Sequence, residues 1–326
     1  MPKYVDNTMI GAFKRCPRQY YFRHVRHWVP DARALPLSFG LAWHEALHTA
    51  WSLASQGQSR QDVLGAAIAA FLKCWRDEGL PTEDDLEPTE VREKLGVRRP
   101  GVAAEMLHAY LEARWEHMQR WRVLGIERPF IVPIWPPSGA DGKVRPPFYV
   151  GRIDLIVEDE QGEALIIEHK TTTQYARTSG FRQSYLESFN PNAQVDGYLY
   201  AASLLLNRPV RQLWVDAALV HDRERHFKFI PCSRREHALE EWLWSLRYWV
   251  NQLESEEERG WHQPAGTPIM FGWARNDQHC FSCPYRDPCT AMLNPEEREE
   301  PPIGFRKEPW DPLEINRIRV EEESDA

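Results

Sequence analysis

The sequence predicts an α/β protein in which a central sheet is flanked by helices. Two apolar segments joined by a polar turn, within 151–170, have the pattern of a β-hairpin. Helical patterns precede this hairpin, and another follows at 192–206, ahead of two further strand segments. Strands and helices that alternate in this way are typical of a sheet covered by helices.

The composition is that of an ordinary globular protein. The chain has 326 residues, of which 42% are hydrophobic and 27% charged, so it is long enough to bury a sizeable core. No apolar run approaches the length of a membrane span, and the first residues lack the apolar segment of a secretion signal. We therefore expect a cytoplasmic protein without membrane contact and without disulfides.

The net charge of −8 gives no positive support for binding to a polyanion. Much of it lies in 294–326, where eleven acidic and five basic residues leave only −2 on the rest of the chain. We expect this acidic tail to be flexible. A locally basic groove elsewhere remains compatible with the total charge, so a nucleic-acid partner has to be argued from the site.

The first element is an aromatic and basic helical segment over 4–28, within a predicted N-terminal segment 1–30. Asp6 or Asn7 would cap its start, and Pro17 would begin a second helical piece. Aromatic side chains beside basic ones suit stacking and phosphate contact. An amphipathic helix that packs its aromatic face explains the same pattern equally well.

A helical region is predicted over 31–125. A helix from Ser38 to about Leu53 places Gly40, His44 and Leu47 on one face. A lone histidine on an apolar face is usually a core residue, so His44 is a ligand candidate only if another part of the chain needs one. Helical patterns follow at 60–78 and 101–124, with a polar, proline-containing connection at 81–100.

An edge strand is predicted over 126–134, because Pro129 and Pro133 cannot donate to a strand ladder. Glu127 could add a carboxylate to a nearby metal site, but an exposed position on the edge strand is the simpler interpretation. A loop rich in proline and glycine then leads to the hairpin.

Three charged side chains mark the hairpin as a site. Asp154 interrupts the first apolar strand, while Glu168 and Lys170 share a face at the end of the second. If the strands turn near residue 160, Asp154 lies roughly opposite Glu168. Burying such charges is costly unless they pair or hold a cation. A buried salt-bridge cluster is the structural alternative to a functional site.

The segment 126–260 is expected to form the α/β core. After a polar stretch at 171–173, a helix over 192–206 carries Gln194 and Tyr198 one turn apart on one face. Without other motifs, an ordinary amphipathic helix would explain this pair. Strands are predicted at 212–220 and 225–230, and a tryptophan-rich helix at about 234–258.

The cysteines predict a metal or cluster site within a segment 261–293. Cys280, Cys283 and Cys289 lie too close together, among prolines, for a packed core, and three thiolates need a fourth ligand. Cys16, in a similar proline-flanked setting, is the best donor, and His279 competes with it for zinc. Spacing alone does not separate zinc from an iron–sulfur cluster. Cys74 and Cys232 have ordinary structural contexts.

These motifs together resemble the PD-(D/E)XK nuclease superfamily, and in particular its RecB-like branch, which includes AddB nuclease domains and CRISPR-associated iron–sulfur exonucleases. The resemblance covers about 4–53 and 126–290, and it leaves the helical region 60–124 unmatched in detail. The E-x-K element alone is weak, whereas five elements in one order are specific. One departure is Ile153, which stands where the namesake motif has proline. The elements are Gly40 with His44, Asp154, Glu168 with Lys170, Gln194 with Tyr198, and the cysteines 16, 280, 283 and 289.

The resemblance implies a restriction-endonuclease-like core with a mixed sheet, a helical insertion and an iron–sulfur clasp that joins the N- and C-terminal regions. It implies that Lys170 orients or activates the attacking water, and that Gln194 and Tyr198 brace the site and contact DNA. The four cysteines would hold a 4Fe–4S cluster, with structural Zn²⁺ as the alternative. Mg²⁺ or Mn²⁺ would be held by His44, Asp154, Glu168 and the backbone carbonyl of His169.

The implied function is that of a metal-dependent DNA nuclease, acting as an exonuclease on single-stranded ends or overhangs. DNA repair, recombination, phage or CRISPR-related DNA processing would be its setting. No nucleotide-binding G-x-x-x-x-G-K-[ST] motif occurs, so the chain lacks a helicase motor, and the candidate protein partner is a helicase or another DNA-processing protein. The alternative is a non-catalytic DNA-binding or adaptor subunit of a helicase–nuclease or integration complex.

Overall fold

The computed structural model describes residues 2–31, 34–138, 142–235, 237–261, 273–291 and 298–318. Its strands are β1 (Tyr4–Val5), β2 (Trp28–Pro30), β3 (Arg122–Pro133), β4 (Phe148–Glu158), β5 (Ala164–Thr172), β6 (Tyr175–Ala176), β7 (Gly180–Phe181), β8 (Gln212–Leu219), β9 (Phe227–Ser233) and β10 (Phe305–Lys307). Its helices are α1 (Asn7–Arg15), α2 (Pro17–Tyr20), α3 (Leu35–Ser55), α4 (Arg60–Asp77), α5 (Pro88–Glu90), α6 (Pro100–Arg120), α7 (Gln183–Glu187), α8 (Ala193–Leu205), α9 (Ala238–Trp261), α10 (Arg286–Ala291) and α11 (Pro312–Ile315). Short 3₁₀ or π-helical turns lie at Tyr21–Val25, Glu83–Asp85, Val91–Leu95 and Asp277–Ser282.

Within the described residues, six strands form a mixed sheet in the order β1, β4, β5, β8, β9, with β3 also paired to β4. Strand β4 runs parallel to β1 and antiparallel to β5. Strand β8 runs parallel to β5 and antiparallel to β9. The predicted α/β class, a central mixed sheet flanked by helices, is confirmed. No helix in the described ranges is long and apolar enough to cross a membrane.

The predicted hairpin is the pair β4 and β5. Leu155 pairs with Ile167, and the same register continues through Val157 with Leu165. One step beyond Leu155, this register brings Asp154 beside Glu168, as the alternation of apolar residues predicts. At the turn, Gly162 has a φ of +82°, which a residue without a side chain adopts most readily.

One boundary error concerns the end of the helix predicted over 101–124. The helix α6 ends at Arg120, and β3 begins at Arg122, four residues before the predicted strand. Val123 and Ile126 pack against the helical core, and this contact favours the extended chain over local helix propensity. Conversely, α3 begins at Leu35, three residues before the predicted start, with proline in its first turn.

The chain forms two compact units, and the first comprises residues 33–128 and 153–236. Its helices α3, α4 and α6 pack on one another, and α3 also packs on β5. The sheet residues Leu155, Val157, Leu165 and Ile167 join these helices in one apolar core. The helices predicted between 60 and 124 are therefore part of the packed body that carries the hairpin site. Large buried aromatic side chains in this core are Phe39, Trp43, Trp51, Phe71, Trp75 and Tyr110.

The second unit comprises residues 1–32, 129–152 and 237–326. Within it, the ring of Phe22 stacks on Trp28 and on Tyr285, each at 5.5 Å between centroids. The Tyr285 hydroxyl donates to the Trp28 carbonyl at 2.7 Å, and β2 pairs antiparallel with β10. The N-terminal and C-terminal segments thus pack together. Residues 262–272, 292–297 and 319–326, which belong to the predicted cysteine-rich segment and acidic tail, lie outside the described residues.

Candidate active site

Asp154 is the buried centre of the hairpin site. Its Oδ2 accepts a hydrogen bond from the His169 backbone N–H at 2.9 Å. Its Oδ1 lies 3.4 Å from Nδ1 of His44, which α3 brings to the strand. The structure therefore places the predicted His44 beside Asp154, although 110 residues separate them in the sequence.

Glu168 and Lys170 form a close pair on the adjacent strand. Lys170 Nζ donates to Glu168 Oε1 at 2.5 Å. The Glu168 side chain is 4% exposed and that of Lys170 is 32% exposed, so the lysine reaches from a buried carboxylate towards solvent. The other oxygen, Glu168 Oε2, is buried and accepts no hydrogen bond from the described residues. A buried carboxylate oxygen without a donor is the kind of atom that a cation would satisfy.

The charges at the site shift one another's protonation. Burial alone would lower the pKa of His44, but the carboxylate of Asp154 outweighs it and raises this pKa to about 9. Burial opposes ionisation of Asp154, yet the His44 imidazole and other nearby cationic groups hold its pKa below the usual range. Burial, and then the neighbouring Asp154, raise the pKa of Glu168. Such opposite shifts in two neighbouring carboxyl groups are common at functional sites.

Three side chains of the site can share one cation. One ligand atom from each of His44, Glu127 and Asp154 lies within 4.8 Å of the others. Glu127 is half-buried on β3, so the simpler interpretation of it as an exposed edge-strand residue is wrong. The sequence signal for it was weak, because Glu127 follows Ile126 but precedes Arg128 and Pro129, whereas Asp154 lies between two apolar residues.

The donor set fits a divalent cation. Carboxylate oxygens are the ligands that Mg²⁺ and Mn²⁺ prefer, and one imidazole nitrogen is compatible with Mn²⁺. Two carboxylates and one imidazole converge in the compact group of His44, Glu127 and Asp154. The unsatisfied oxygen of Glu168 lies one strand away, in register with Asp154.

A buried polar network supports His169, whose backbone binds Asp154. Asp216 lies beside His169 in the register of β5 and β8, with its Oδ2 at 3.7 Å from His169 Nδ1. Arg114 donates to Asp216 Oδ1 through Nε at 3.1 Å and Nη2 at 2.7 Å. Tyr110 donates its hydroxyl to Asp216 Oδ2 at 2.8 Å and accepts from Trp51 Nε1 at 3.1 Å. The sequence analysis missed this network, although Asp216 interrupts an apolar strand as Asp154 does.

Gln194 and Tyr198 bond to each other. Asn192 caps α8 through its side chain, as predicted for the start of this helix. Gln194 Nε2 donates to the Tyr198 hydroxyl at 3.1 Å, and α8 packs on β5 and β8. The predicted role of this pair in bracing the site and contacting DNA stays a prediction.

The four predicted cluster cysteines line one cavity of the second unit. Cys16 lies at the junction of α1 and α2, where Pro17 begins the second helix as predicted. The Asn276 backbone N–H donates to Cys16 Sγ at 3.4 Å, and Arg18 Nη1 donates to Cys289 Sγ at 3.7 Å. Burial and the neighbouring cysteines raise the pKa of the Cys283 thiol. His279, the competing zinc ligand, lines the same cavity.

A mixed sheet that carries a compact group of acidic residues, a histidine and a lysine defines the class as an α/β protein with a candidate metal-binding site. A family model of the PD-(D/E)XK nuclease superfamily matches residues 8–290, so the chain belongs to this superfamily. The predicted superfamily is thereby confirmed.

Solved structures similar to this chain include the following two. One is the crystal structure of SSO0001, with 12% identity over 89% of this chain and 87% of that chain and a TM-score of 0.33. The other is an exonuclease candidate from Eubacterium rectale, with 10% identity over 82% of this chain and 91% of that chain and a TM-score of 0.46. The comparison with curated proteins found no match.

Proposed function

We propose that the chain is a metal-dependent deoxyribonuclease that hydrolyses phosphodiester bonds. The observation that carries this proposal is the placement of His44, Glu127 and Asp154 as one compact group, in the same unit as the Glu168–Lys170 pair. Membership of a nuclease superfamily supplies the reaction class. Proteins of this superfamily use divalent metals, and the donor set fits one.

The residues that would hold Mg²⁺ or Mn²⁺ are His44, Asp154 and Glu168, with the backbone carbonyl of His169. We add Glu127 to this set because its carboxylate lies within 4.8 Å of the ligand atoms of His44 and Asp154. When bound, the cation would lower the pKa of a water molecule and offset negative charge on the phosphate. Asp154 is held for this role by the His169 N–H, which fixes one carboxylate oxygen and leaves the other facing His44.

Lys170 acts as a charged donor in this proposal. Burial would lower its pKa, but Glu168 and Asp154 outweigh burial and raise it, so the ammonium keeps its proton near neutral pH. In this state the lysine is a donor towards the attacking water. It can orient that water and stabilise the developing charge on the phosphate oxygens. Glu168 fixes the ammonium through the 2.5 Å hydrogen bond.

The proposed mode of cleavage, substrate form, biological setting and partner come from the resemblance to the RecB-like branch. We propose exonucleolytic action on single-stranded ends or overhangs, in DNA repair, recombination, phage or CRISPR-related DNA processing, with a helicase partner. A cytoplasmic setting, expected from the sequence, belongs to the same proposal.

We also propose a 4Fe–4S cluster on Cys16, Cys280, Cys283 and Cys289. Tetrahedral zinc with Zn–S bonds of about 2.3 Å needs sulfur atoms about 4 Å apart. The four cysteines line one cavity, which suits either group, and the preference for the cluster comes from the resemblance to the RecB-like branch. The N–H···S contacts at Cys16 and Cys289 are of the kind that tunes cluster potentials.

The proposed function is tested on four labelled substrates with Mn²⁺: linear and circular DNA, each single- and double-stranded. Loss of the linear single strand with an intact circle supports the exonuclease, and cleavage of the circle identifies an endonuclease instead. A matching RNA strand tests the preference for DNA. Binding without cleavage of any substrate would overturn the nuclease and leave the adaptor subunit.

A further inference from the structure

The chain that follows Lys170 contains no acidic residue for a long stretch. Residues 169–186 include Lys170, Arg177 and Arg182 and neither aspartate nor glutamate. The whole chain has 48 acidic residues among 326, so two or three would be expected in a segment of this length. This segment comprises the end of β5, the small β6–β7 hairpin and the start of α7. Its composition makes it locally basic in an acidic protein.

Arg98 adds a further cation from the loop before α6. Its Nη2 donates to the Thr173 hydroxyl at 3.4 Å, and it forms no ion pair with any carboxylate of the described residues. Burial lowers the pKa of Arg98, and no acidic neighbour opposes this shift. A partly desolvated guanidinium without an anion is costly, so an anionic ligand is the partner that this arrangement lacks.

The positive charge of this surface is not neutralised by its surroundings. Arg177 and Arg182 are exposed, and neither pairs with a carboxylate in the described ranges. The loop 221–226 contacts the hairpin through the rings of Tyr175 and His221, 4.9 Å apart. The acidic groups of that loop already have partners within the unit. Asp222 pairs with Arg99 at 2.7 Å, and Glu224 lies 3.4 Å from His226.

The surface adjoins the candidate active site. Strand β5 continues past Lys170 to its end at Thr172, and Thr173 follows directly, so Thr173 lies within about 10 Å of Lys170 along the chain. Guanidinium groups bind phosphate through two parallel hydrogen bonds, and exposed hydroxyls add single ones. A row of phosphates on a strand whose scissile bond lies at Lys170 would reach these groups.

We propose that Arg98, Thr173, Arg177 and Arg182 form the surface that binds the phosphates of the substrate strand on the side of the active site beyond Lys170. The inference rests on the proposed nuclease function and deepens it, because it names where the nucleic-acid backbone lies. The ligand is a single strand of nucleic acid, recognised through its charge and not through its bases.

The test measures binding of a fluorescein-labelled thymidine oligonucleotide by anisotropy, with EDTA present to prevent cleavage. Each of Arg98→Ala, Arg177→Ala and Arg182→Ala should weaken binding several-fold and reduce the slope of log Kd against log salt by about 0.7. Arg120→Ala is the matched control. Arg120 is an exposed arginine at the opposite end of α6, about 30 Å from Arg98 along the helix, where it pairs with Glu116. Its substitution should leave both quantities unchanged.

The triple variant separates the possible failures. The triple variant Arg98→Ala/Arg177→Ala/Arg182→Ala could bind the oligonucleotide with the affinity and salt slope of the wild type. If the wild type also cleaves DNA with Mn²⁺, the proposed phosphate-binding surface is wrong, and the proposed nuclease activity is supported. If the wild type neither binds nor cleaves nucleic acid, both proposals are wrong. Circular dichroism of each variant shows that the fold is intact, which is expected because the substituted side chains are exposed or only partly buried.

Discussion

At the scale of single residues, the position of Glu127 completes a group of three potential ligands with His44 and Asp154. The carboxylate comes from β3, the imidazole from α3 and the second carboxylate from β4. Each element presents one donor, so the group exists only in the folded chain. A cation bound there would also stabilise the folded state.

Glu127→Gln should weaken Mn²⁺ binding by at least about tenfold, since an amide oxygen replaces a charged ligand. Isothermal titration calorimetry or Mn²⁺ electron paramagnetic resonance measures the affinity. Glu112→Gln is the matched control, because Glu112 is an exposed glutamate on α6 in the same unit. Unchanged affinity in Glu127→Gln would remove Glu127 from the ligand set.

The protonation of His44 makes metal binding depend on pH. With a pKa of about 9 in the metal-free site, the imidazole is protonated at neutral pH and must lose its proton to become a ligand. The Mn²⁺ affinity should therefore rise about tenfold per pH unit between about pH 7.5 and 8.5 and level off above pH 9. Calorimetry in buffers of different ionisation enthalpy counts the released proton. His44→Ala should flatten this dependence, and an equally steep dependence in that variant would contradict the assignment.

The residues that sequence reasoning found share one signal. Asp154 and Glu168 stand out because charged side chains interrupt apolar strands, where burial makes them costly. Asp216 interrupts an apolar strand in the same way, but no second motif in the sequence supported it. His44 has no such signal in its own helix. Only the fold brings its Nδ1 to 3.4 Å from Oδ1 of Asp154.

At the scale of elements, α3, α6 and β8 are joined by one chain of buried hydrogen bonds. Trp51 of α3 donates to Tyr110 of α6, and Tyr110 donates to Asp216 of β8. His44 lies on the same helix as Trp51, and His169 lies beside Asp216. The network therefore links the helix that carries His44 to the strand beside the His169 backbone that binds Asp154. Helix α6 belongs to the region 60–124 that the family resemblance left unmatched.

Tyr110→Phe should lower the free energy of unfolding by about 1–3 kcal/mol, because Trp51 Nε1 loses its acceptor and Asp216 Oδ2 loses a donor. If the network also positions the site, Mn²⁺ affinity should fall by about tenfold, as for other residues that orient ligands. Denaturant unfolding and Mn²⁺ titration measure the two effects.

Tyr185→Phe is the control for this substitution, since Tyr185 is buried in the same unit and its hydroxyl has no hydrogen-bond partner among the described residues. It should change neither quantity measurably. A stability loss in Tyr110→Phe with unchanged Mn²⁺ affinity would show that the network is structural only.

Strands and helices could be predicted where the pattern of apolar residues within the segment itself specifies them. The alternation of Ile153, Leu155 and Val157 specifies one register, because a shift by one residue would move all three to the other face of the sheet and take Leu155 and Val157 out of the core that they share with the helices. The end of α6 was not predictable in this way. There, packing of Val123 and Ile126 against distant helices decides between helix and strand.

At the scale of the whole molecule, the cysteines join segments that lie far apart in the sequence. Cys16 and Cys280 line one cavity although 264 residues separate them. A cofactor that binds both ends of so long a loop removes conformational freedom from the unfolded chain. The predicted spacing of the cysteines indicated this closure, whereas the aromatic packing of Phe22 on Tyr285 had no signal in the sequence pattern.

Cys283→Ser should give a protein that lacks the brown colour of an iron–sulfur cluster and unfolds at lower temperature than the wild type. The physical reason is the loss of one of four ligands that tie the two ends of the second unit. Visible absorption, iron and zinc analysis after anaerobic purification, and thermal unfolding measure these effects. Cys74→Ser, in α4, is the control and should retain the colour. A colourless wild type with one zinc per chain would contradict the cluster.

The central claim is that Asp154 and Lys170 belong to the active site of a metal-dependent nuclease. The most direct measurement compares degradation of end-labelled single-stranded DNA with Mn²⁺ by the wild type, Asp154→Ala, Lys170→Ala and the control Arg120→Ala. We expect the wild type and the control to degrade the strand at equal rates, and the two site variants to be slower by about a hundredfold or more. Equal rates in all four proteins would contradict the assignment of the site.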